Sequence, residues 1–392
     1  MQHLQFEKMY ETTSFCLKKS CTHPSIPIDR NWAWQIGLKH GLYTMGFVSV
    51  VYSFSINMTK GDFSRAYSDA IMMIVYLAVT AQNGAVLWFR DPLNTLIQKT
   101  EENFELADIL PVEHQSLVVK YARRGRWVMN LWYFTNLTMY TLYVIKAAAL
   151  SLHSLYAGEF RLFLFYDYTF PPALEEIKYR YEVFPLIIGL QIFYGLYALR
   201  STVGFCSLGP IFILNACAQL ELVAMKIKTI FNEHSEREVA KKFVDIVRSL
   251  QNIYSYVRLI NEVFKIMYEL NLKMAALMMP VLIYHIIERV KQGEMCFEYI
   301  LLACKAVLYS YLPCFYSNLL MEKGEAVRLA IYECGWEQVF DKSSRNSLII
   351  MLTVALQPIS IRTIFRTVCL DAFADLCRQS YAIFNLINTI WD

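Results

Sequence analysis

The chain has 392 residues, of which 56% are hydrophobic, 15% aromatic and 18% charged, with a formal net charge of +3. A soluble domain carries roughly a quarter charged residues, so this chain lacks the polar surface to dissolve in water. Its small positive charge is no electrostatic footprint for nucleic acid, and the composition points to an all-α membrane protein.

Residues 1–31 contain Lys8, Lys18, Lys19 and Arg30 without an apolar run or a small-residue cleavage site, so a cytoplasmic N-terminal segment is expected and not a cleaved signal. A helix needs about 20 mostly apolar residues to cross a bilayer. Six stretches reach that length: 32–56, 70–89, 127–150, 183–214, 264–287 and 296–319. A seventh, 347–391, is interrupted at Pro358, which cannot continue a helix, and divides into an inner piece at 347–356 and a membrane piece at 366–391. The expected fold is therefore seven transmembrane helices. Lys and Arg set their orientation: the segments assigned to the cytoplasm, with clusters such as Lys120, Arg123, Arg124, Arg126 and Arg237, Lys241, Lys242, Arg248, hold about three times as many as the outer ones. The N-terminus is expected inside and the C-terminus outside.

Between the fourth and fifth spans, residues 215–263 are polar but periodic, with Leu220, Val223, Ile227 and Ile230, then Val244, Val247, Leu250, Tyr254 and Val257 at helical spacing. Lys265, Glu269 and Lys273 follow on one face of the next helix. The fourth and fifth spans thus continue as helices into the cytosol, and with residues 320–365 they would form a cytoplasmic helical anchor domain. The membrane parts are then residues 32–214, 264–319 and 366–392. Asn57-Met58-Thr59 is a glycosylation sequon in the first outer loop, whereas Asn136-Leu137-Thr138 lies inside a span. Most of the ten cysteines fall in apolar or inner segments and only Cys296 is near the outer face, so free thiols are expected. A G-protein-coupled receptor would place its N-terminus outside and join its third helix to an outer loop by a disulfide; residues 91–126 hold no cysteine.

Several stretches resemble the insect odorant-receptor family. Ala330-Ile-Tyr-Glu-Cys-Gly-Trp336 is similar to its alanine–tyrosine–tryptophan stretch after the sixth helix, and Ala355-Leu-Gln-Pro-Ile-Ser-Ile361 to the proline segment before its last helix. Ser380-Tyr-Ala-Ile-Phe-Asn-Leu386 resembles its terminal signature, and Asn215-Ala-Cys-Ala-Gln-Leu-Glu-Leu222 the segment leaving its fourth helix. Ile387 and Asn388 stand where the related gustatory receptors have glutamine–phenylalanine, and the long inner insertion of the shared co-receptor Orco is missing. The resemblance implies a ligand-tuning subunit in a heterotetramer with Orco, forming a non-selective cation channel in the plasma membrane of sensory neurons. Its partners would be Orco, a small volatile ligand, permeating cations and lipid; no cofactor or metal is implied. A gustatory-type channel and a polytopic transporter are the alternatives, although a transporter would ordinarily show internal repeats.

By the same resemblance, the last helix lines the pore. Tyr381, Phe384 and Asn388 share one helical face, with Ile387 beside them. Phe384 falls at the family's hydrophobic gate, and Ile387 and Asn388 at its pore mouth; packing against neighbouring helices is the plainer reading of such a stripe. The resemblance sets the ligand pocket in the outer half, among the second, third, fourth and sixth spans. Candidates by depth are Met72, Met73 and Tyr76; Tyr140, Tyr143 and Ala147; Ile188, Gln191 and Ile192; and Leu302, Ala306 and Tyr309. A volatile offers few hydrogen bonds, so dispersion from aromatic and methionine side chains must supply most of the binding.

Charged residues within spans are functional candidates. Lys146 sits near an outer end, where its ammonium can reach the interface. Arg200 is read as meeting a buried partner, and Lys305, one turn from Tyr309, as meeting either such a partner or a polar group on the ligand. Asp371 and Asp375 would face the inner pore or pair with Arg378. No G-x-S-x-G, P-loop, H-E-x-x-H or C-x-x-C motif is present, and the seven histidines have no metal-ligand spacing, so nothing in the sequence asks for an enzyme.

Overall fold

Short capping signals set the first long helices. Asp29 accepts a hydrogen bond from the Trp32 N–H (2.6 Å) and so opens the helix Arg30–Lys60. Gly61, at φ 75°, closes that helix in the left-handed conformation that glycine adopts without a Cβ clash. Asp62 then caps the next helix by accepting from the Arg65 N–H.

The computed structural model describes residues 4–158, 161–232, 236–291, 293, 297–338 and 342–391. Along the described chain, two short helices come first, α1 (Phe6–Met9) and α2 (Glu11–Lys19), followed by α3 (Arg30–Lys60) and α4 (Phe63–Trp88). Next are α5 (Arg90–Asp108), α6 (Val112–Tyr156), the single turn α7 (Pro172–Glu175) and α8 (Phe184–Lys228). The chain ends with α9 (Glu236–Lys291), α10 (Phe297–Tyr332), α11 (Lys342–Ala355) and α12 (Leu370–Trp391). Among the described residues the only β pairing is an isolated antiparallel bridge between Arg362 and Thr367.

Helix α8 is the axis of the bundle and packs against α2, α6, α9 and α10, while α3 lies mainly on α4 and α12 mainly on α9. From Ser201 to Ala218 every residue of α8 except Cys206 is buried. That stretch anchors the larger core, which includes Phe205, Phe212, Phe264 and Leu320. A second, aromatic core gathers Tyr43 and Val50 of α3, Tyr76 and Val79 of α4, Tyr197 of α8, and Tyr168.

The six uninterrupted apolar stretches fall on α3, α4, α6, α8, α9 and α10, with residues 89 and 183 just beyond their helices and residue 296 outside the described residues. Of the described helices, α4, α8, α9 and α10 are long and apolar enough to cross a membrane by length and composition. In α3, α6 and α12 polar side chains interrupt the apolar run, including Lys39 and His40, then Asn136 and Lys146, then Asp371, Asp375 and Arg378. The polar periodic segments do continue the helices: α8 runs on to Lys228 and α9 begins at Glu236.

Three features differ from the sequence reading. The last helix starts at Leu370 and not at residue 366, because residues 361–368 turn back on themselves, with Val368 donating to the Ile361 carbonyl (2.9 Å). Residues 90–108, which lie between the spans expected at 70–89 and 127–150, form α5 on Leu93, Leu96, Thr100, Phe104 and Ala107, all buried. The N-terminal segment is part of the core: Phe6, Tyr10 and Leu17 are buried, and Thr13 shares a hydrogen bond with Ser207 of α8 (2.7 Å). Nine cysteines are described, all as free thiols; Cys296 lies outside the described residues.

Candidate functional site: an aromatic cavity and an open helix face

Three helices present matching faces to one space. On α6 the face is Asn136, Met139, Tyr140 and Tyr143; on α8 it is Gln191, Tyr194, Gly195 and Ala198; on α4 it is Met72, Val75 and Tyr76. Residues three, four and seven apart share one side of a helix, so each set follows from local helical geometry. Leu302 and Lys305 of α10 and Tyr43 of α3 complete the helical wall around a cavity of about 160 Å³. Gly195 is required where it stands: a Cβ there would lie 2.6 Å from the Tyr140 ring. The rings of Tyr43 and Tyr76 sit 4.6 Å apart, and those of Tyr43 and Tyr197 4.9 Å apart, so this wall is a set of aromatic contacts.

A strap of irregular chain, residues 161–170, supplies the remaining wall through Phe165, Tyr166 and Tyr168. Its backbone has no ladder partner, and side chains from the helices take that role. Phe163 N–H donates to Ser151 Oγ (3.0 Å), and Phe165 N–H to Gln191 Oε1 (3.0 Å). Gln191 Nε2 in turn donates to the Tyr166 carbonyl (2.6 Å). Tyr166 donates its hydroxyl proton to Asp69 Oδ1 (3.0 Å), while Asp69 Oδ2 accepts from Ser53 Oγ and Asn57 Nδ2, both at 2.8 Å. Thr169 N–H donates to Ser53 Oγ and Thr169 Oγ1 to Asn57 Oδ1, both at 3.0 Å.

Farther out, the buried Lys178 ammonium pairs with Asp167 (3.0 Å) and Glu175 (2.6 Å). Burial opposes both charges there, yet the ion pairing prevails. The Lys178 ammonium is held above its ordinary pKa, and the Glu175 carboxyl, which also accepts from the Phe170 N–H, is held below the usual carboxylate value.

A smaller chamber of about 70 Å³ lies behind the first and shares Val75, Leu302 and Lys305 with it. Gln82, Thr202, Ala306 and Tyr309 are among its other walls. Lys305 Nζ donates to Asn136 Oδ1 (2.6 Å), and Gln82 Nε2 donates to the Tyr309 hydroxyl.

Of the sequence candidates, the structure brings Met72, Tyr76, Tyr140, Tyr143, Gln191 and Leu302 onto the larger cavity. Leu302, Ala306 and Tyr309 line the smaller one. Met73, Ile188 and Ile192 are half-buried and Ala147 is buried, and none of these four lines either space. Sequence reasoning missed Tyr43, Tyr194 and the whole strap. Tyr194 could have been found from Gln191, three residues earlier on the same face; the strap has no periodicity to read. Lys146 is a correction: it forms an ion pair with Glu298 across α6 and α10 instead of merely extending to the interface. Asn57 is another. Its Nδ2, the atom a glycan would occupy, is buried and donates to Asp69, which leaves no room for the modification in the folded chain.

On α12 the buried positions Ala372, Leu376 and Ser380 recur every four residues and face α9, with Ser380 Oγ against Met279 Sδ (4.0 Å). The other side carries Tyr381, 66% exposed, and Leu386, 61% exposed; Phe384 and Asn388 are half-buried, and the Ile387 side chain lies outside the described residues. Asp375 pairs with Arg378 on the exposed surface (3.4 Å). Among the described residues no group of three His, Cys, Asp or Glu side chains is placed to hold a metal ion.

Comparison with known proteins gives a consistent result. The family model for the 7tm Odorant receptor matches residues 62–381. Odorant receptor 13a of Drosophila melanogaster is 23% identical over 249 residues, covering 58% of this chain; the chain spans 57% of that relative's length. The insect olfactory receptor OR5 from Machilis hrabei superposes with a TM-score of 0.71 at 15% identity, with 97% of each chain covered. Its complex with eugenol gives a TM-score of 0.73 at 17% identity and 98% coverage of each chain.

Proposed function

This chain belongs to the 7tm odorant receptor family, and from that membership we propose that it is the ligand-tuning subunit of a non-selective cation channel that also contains Orco. The observation that carries the reading is the tyrosine-rich cavity walled on one side by the strap. A space of this kind is suited to a small neutral molecule held by shape and dispersion, with few polar contacts to fix its orientation. The eugenol complex of the structurally similar OR5 supports an odorant as the occupant.

In this proposal α3, α4, α6, α8, α9, α10 and α12 are the seven membrane spans, with the N-terminus in the cytoplasm. The excess of Lys and Arg in the segments then assigned inside supports that orientation. Residues 215–228 of α8, the first half of α9, the end of α10 and α11 form the cytoplasmic anchor through which subunits meet. Helix α12 lines the shared pore, with Phe384 as an apolar constriction and Tyr381, Ile387 and Asn388 around it. The exposed face of α12 supports this role, because a helix packed mainly on one neighbour leaves its other side for partner subunits or an aqueous path. The site of action is the plasma membrane of sensory neurons.

The test is current in cells expressing this chain alone or with Orco, under a panel of neutral volatiles. A volatile-evoked, non-selective cation current that requires both chains is expected. Surface expression of both chains with no current across the panel would overturn the channel reading.

A further inference from the structure

The smaller chamber combines two polar groups that the protein itself leaves incompletely satisfied. Lys305 carries three N–H donors, and its one hydrogen bond is to Asn136 Oδ1 (2.6 Å); it has no carboxylate partner among the described residues. A cation held inside a helix bundle without an anion is retained at a cost unless something else shares its charge. Gln82 is 2% exposed, and its amide spends one end on the Tyr309 hydroxyl while Oε1 has no hydrogen-bond partner. Turning the amide over would exchange which atom meets Tyr309 and still leave one end unsatisfied. Both residues line the same space of about 70 Å³, and Lys305 lies on the wall that this space shares with the larger aromatic cavity.

We propose that this inner chamber is a hydroxyl-recognition subsite, so that the receptor selects small ligands with an apolar body and a single alcohol or phenol group. The body occupies the aromatic cavity and the hydroxyl enters the inner chamber. There the ligand oxygen accepts from Lys305 Nζ and the ligand O–H donates to Gln82 Oε1. An isosteric hydrocarbon fills the same volume but leaves both protein groups unpaired. A site built to hydrogen-bond a hydroxyl rejects the analogue without one far more strongly than an apolar pocket rejects a missing methylene. This inference rests on the proposal that the larger cavity takes the odorant.

The experiment uses the purified full-length chain in lipid nanodiscs and reads the rise in unfolding temperature with ligand, which needs no channel activity. The probes are two matched pairs, p-cresol with p-xylene and 1-heptanol with octane, each exchanging a hydroxyl for a methyl group. In the native chain the hydroxyl member is expected to act at a tenfold or more lower concentration than its partner. In Lys305→Met and in Gln82→Leu that ratio should fall toward one, because each variant removes one hydroxyl partner and one group that the hydrocarbon leaves unpaired. The unfolding temperature without ligand shows whether each variant is folded. Equal binding of both members in the native chain and the variants would overturn the hydroxyl subsite and leave the cavity reading standing. That same result is expected if a resident water satisfies Lys305 and Gln82. Failure of both pairs to bind the native chain would overturn the subsite and the cavity reading together.

Discussion

The two halves of α8 run through different environments. From Ser201 to Ala218 the helix is buried on nearly every side and packs against α2, α6, α9 and α10. From Phe184 to Arg200 it is mostly half-buried and borders a cavity, facing tyrosines and a strap instead of a close-packed apolar layer. One continuous helix thus joins a solid region to a hollow one. Close packing leaves a core few ways to rearrange, whereas a cavity walled by hydrogen-bonded irregular chain can change shape when a ligand fills it.

Substitutions should separate the two regions. The largest effect is expected in the solid half: Phe212→Ala removes a fully buried ring between Phe6 and Phe264 and should cost about 3–5 kcal/mol, read as loss of folded protein in detergent melts. An equally small loss there and at the cavity wall would erase the contrast. Next comes Asp69→Ala, which leaves Tyr166, Ser53 and Asn57 without their shared acceptor. It should destabilise the strap by about 2–3 kcal/mol, with faster hydrogen exchange at the Phe165 and Thr169 amides and little change in α8 beyond Ser201. Uniform acceleration along the chain would show that the strap and the inner core open as one unit.

Gly195→Ala should be milder for stability and act on the ligand. Its Cβ must displace the Tyr140 ring, so half-maximal concentrations for volatiles should shift by about tenfold, roughly 1.4 kcal/mol. Unchanged potency would remove Tyr140 from the binding wall. The smallest effect is that of pH on the strap's outer anchor. Glu175 is depressed below its ordinary 4.5, so its contribution is full above that value and is lost as pH falls through its lower folded value. Lys178 is raised above 10.5, so its contribution is full below that value and is lost as pH rises past its folded value. Exchange of the Phe170 amide should therefore show no structural change between about pH 5 and 10, once the intrinsic pH dependence is removed, and should accelerate beyond either limit. An acceleration near neutral pH would point to a different anchor.

Part of the site could be read because helical spacing alone aligns its residues. Tyr140 with Tyr143, and Met72 with Tyr76, lie on common faces in any helix, and their depth followed from the span limits. Met73 was chosen by the same depth and does not line the cavity, because it lies one residue and about 100° away from Met72 on the helix. Depth along a span is encoded in the apolar pattern; the direction a side chain faces depends on which neighbours surround the helix.

The sequence by itself determined the long apolar helices, the polar extensions of α8 and α9, and the break ahead of α12. Each follows from local terms: apolar run length, helical period, capping and proline chemistry. Only the tertiary structure decided that Phe6 and Tyr10 of the N-terminal segment enter the core, that Lys146 meets Glu298, and that Tyr166 reaches Asp69. These partners lie far apart in the chain, and no local period encodes them. A buried charge or backbone N–H must find a partner somewhere, but which one it finds is fixed only when the helices pack.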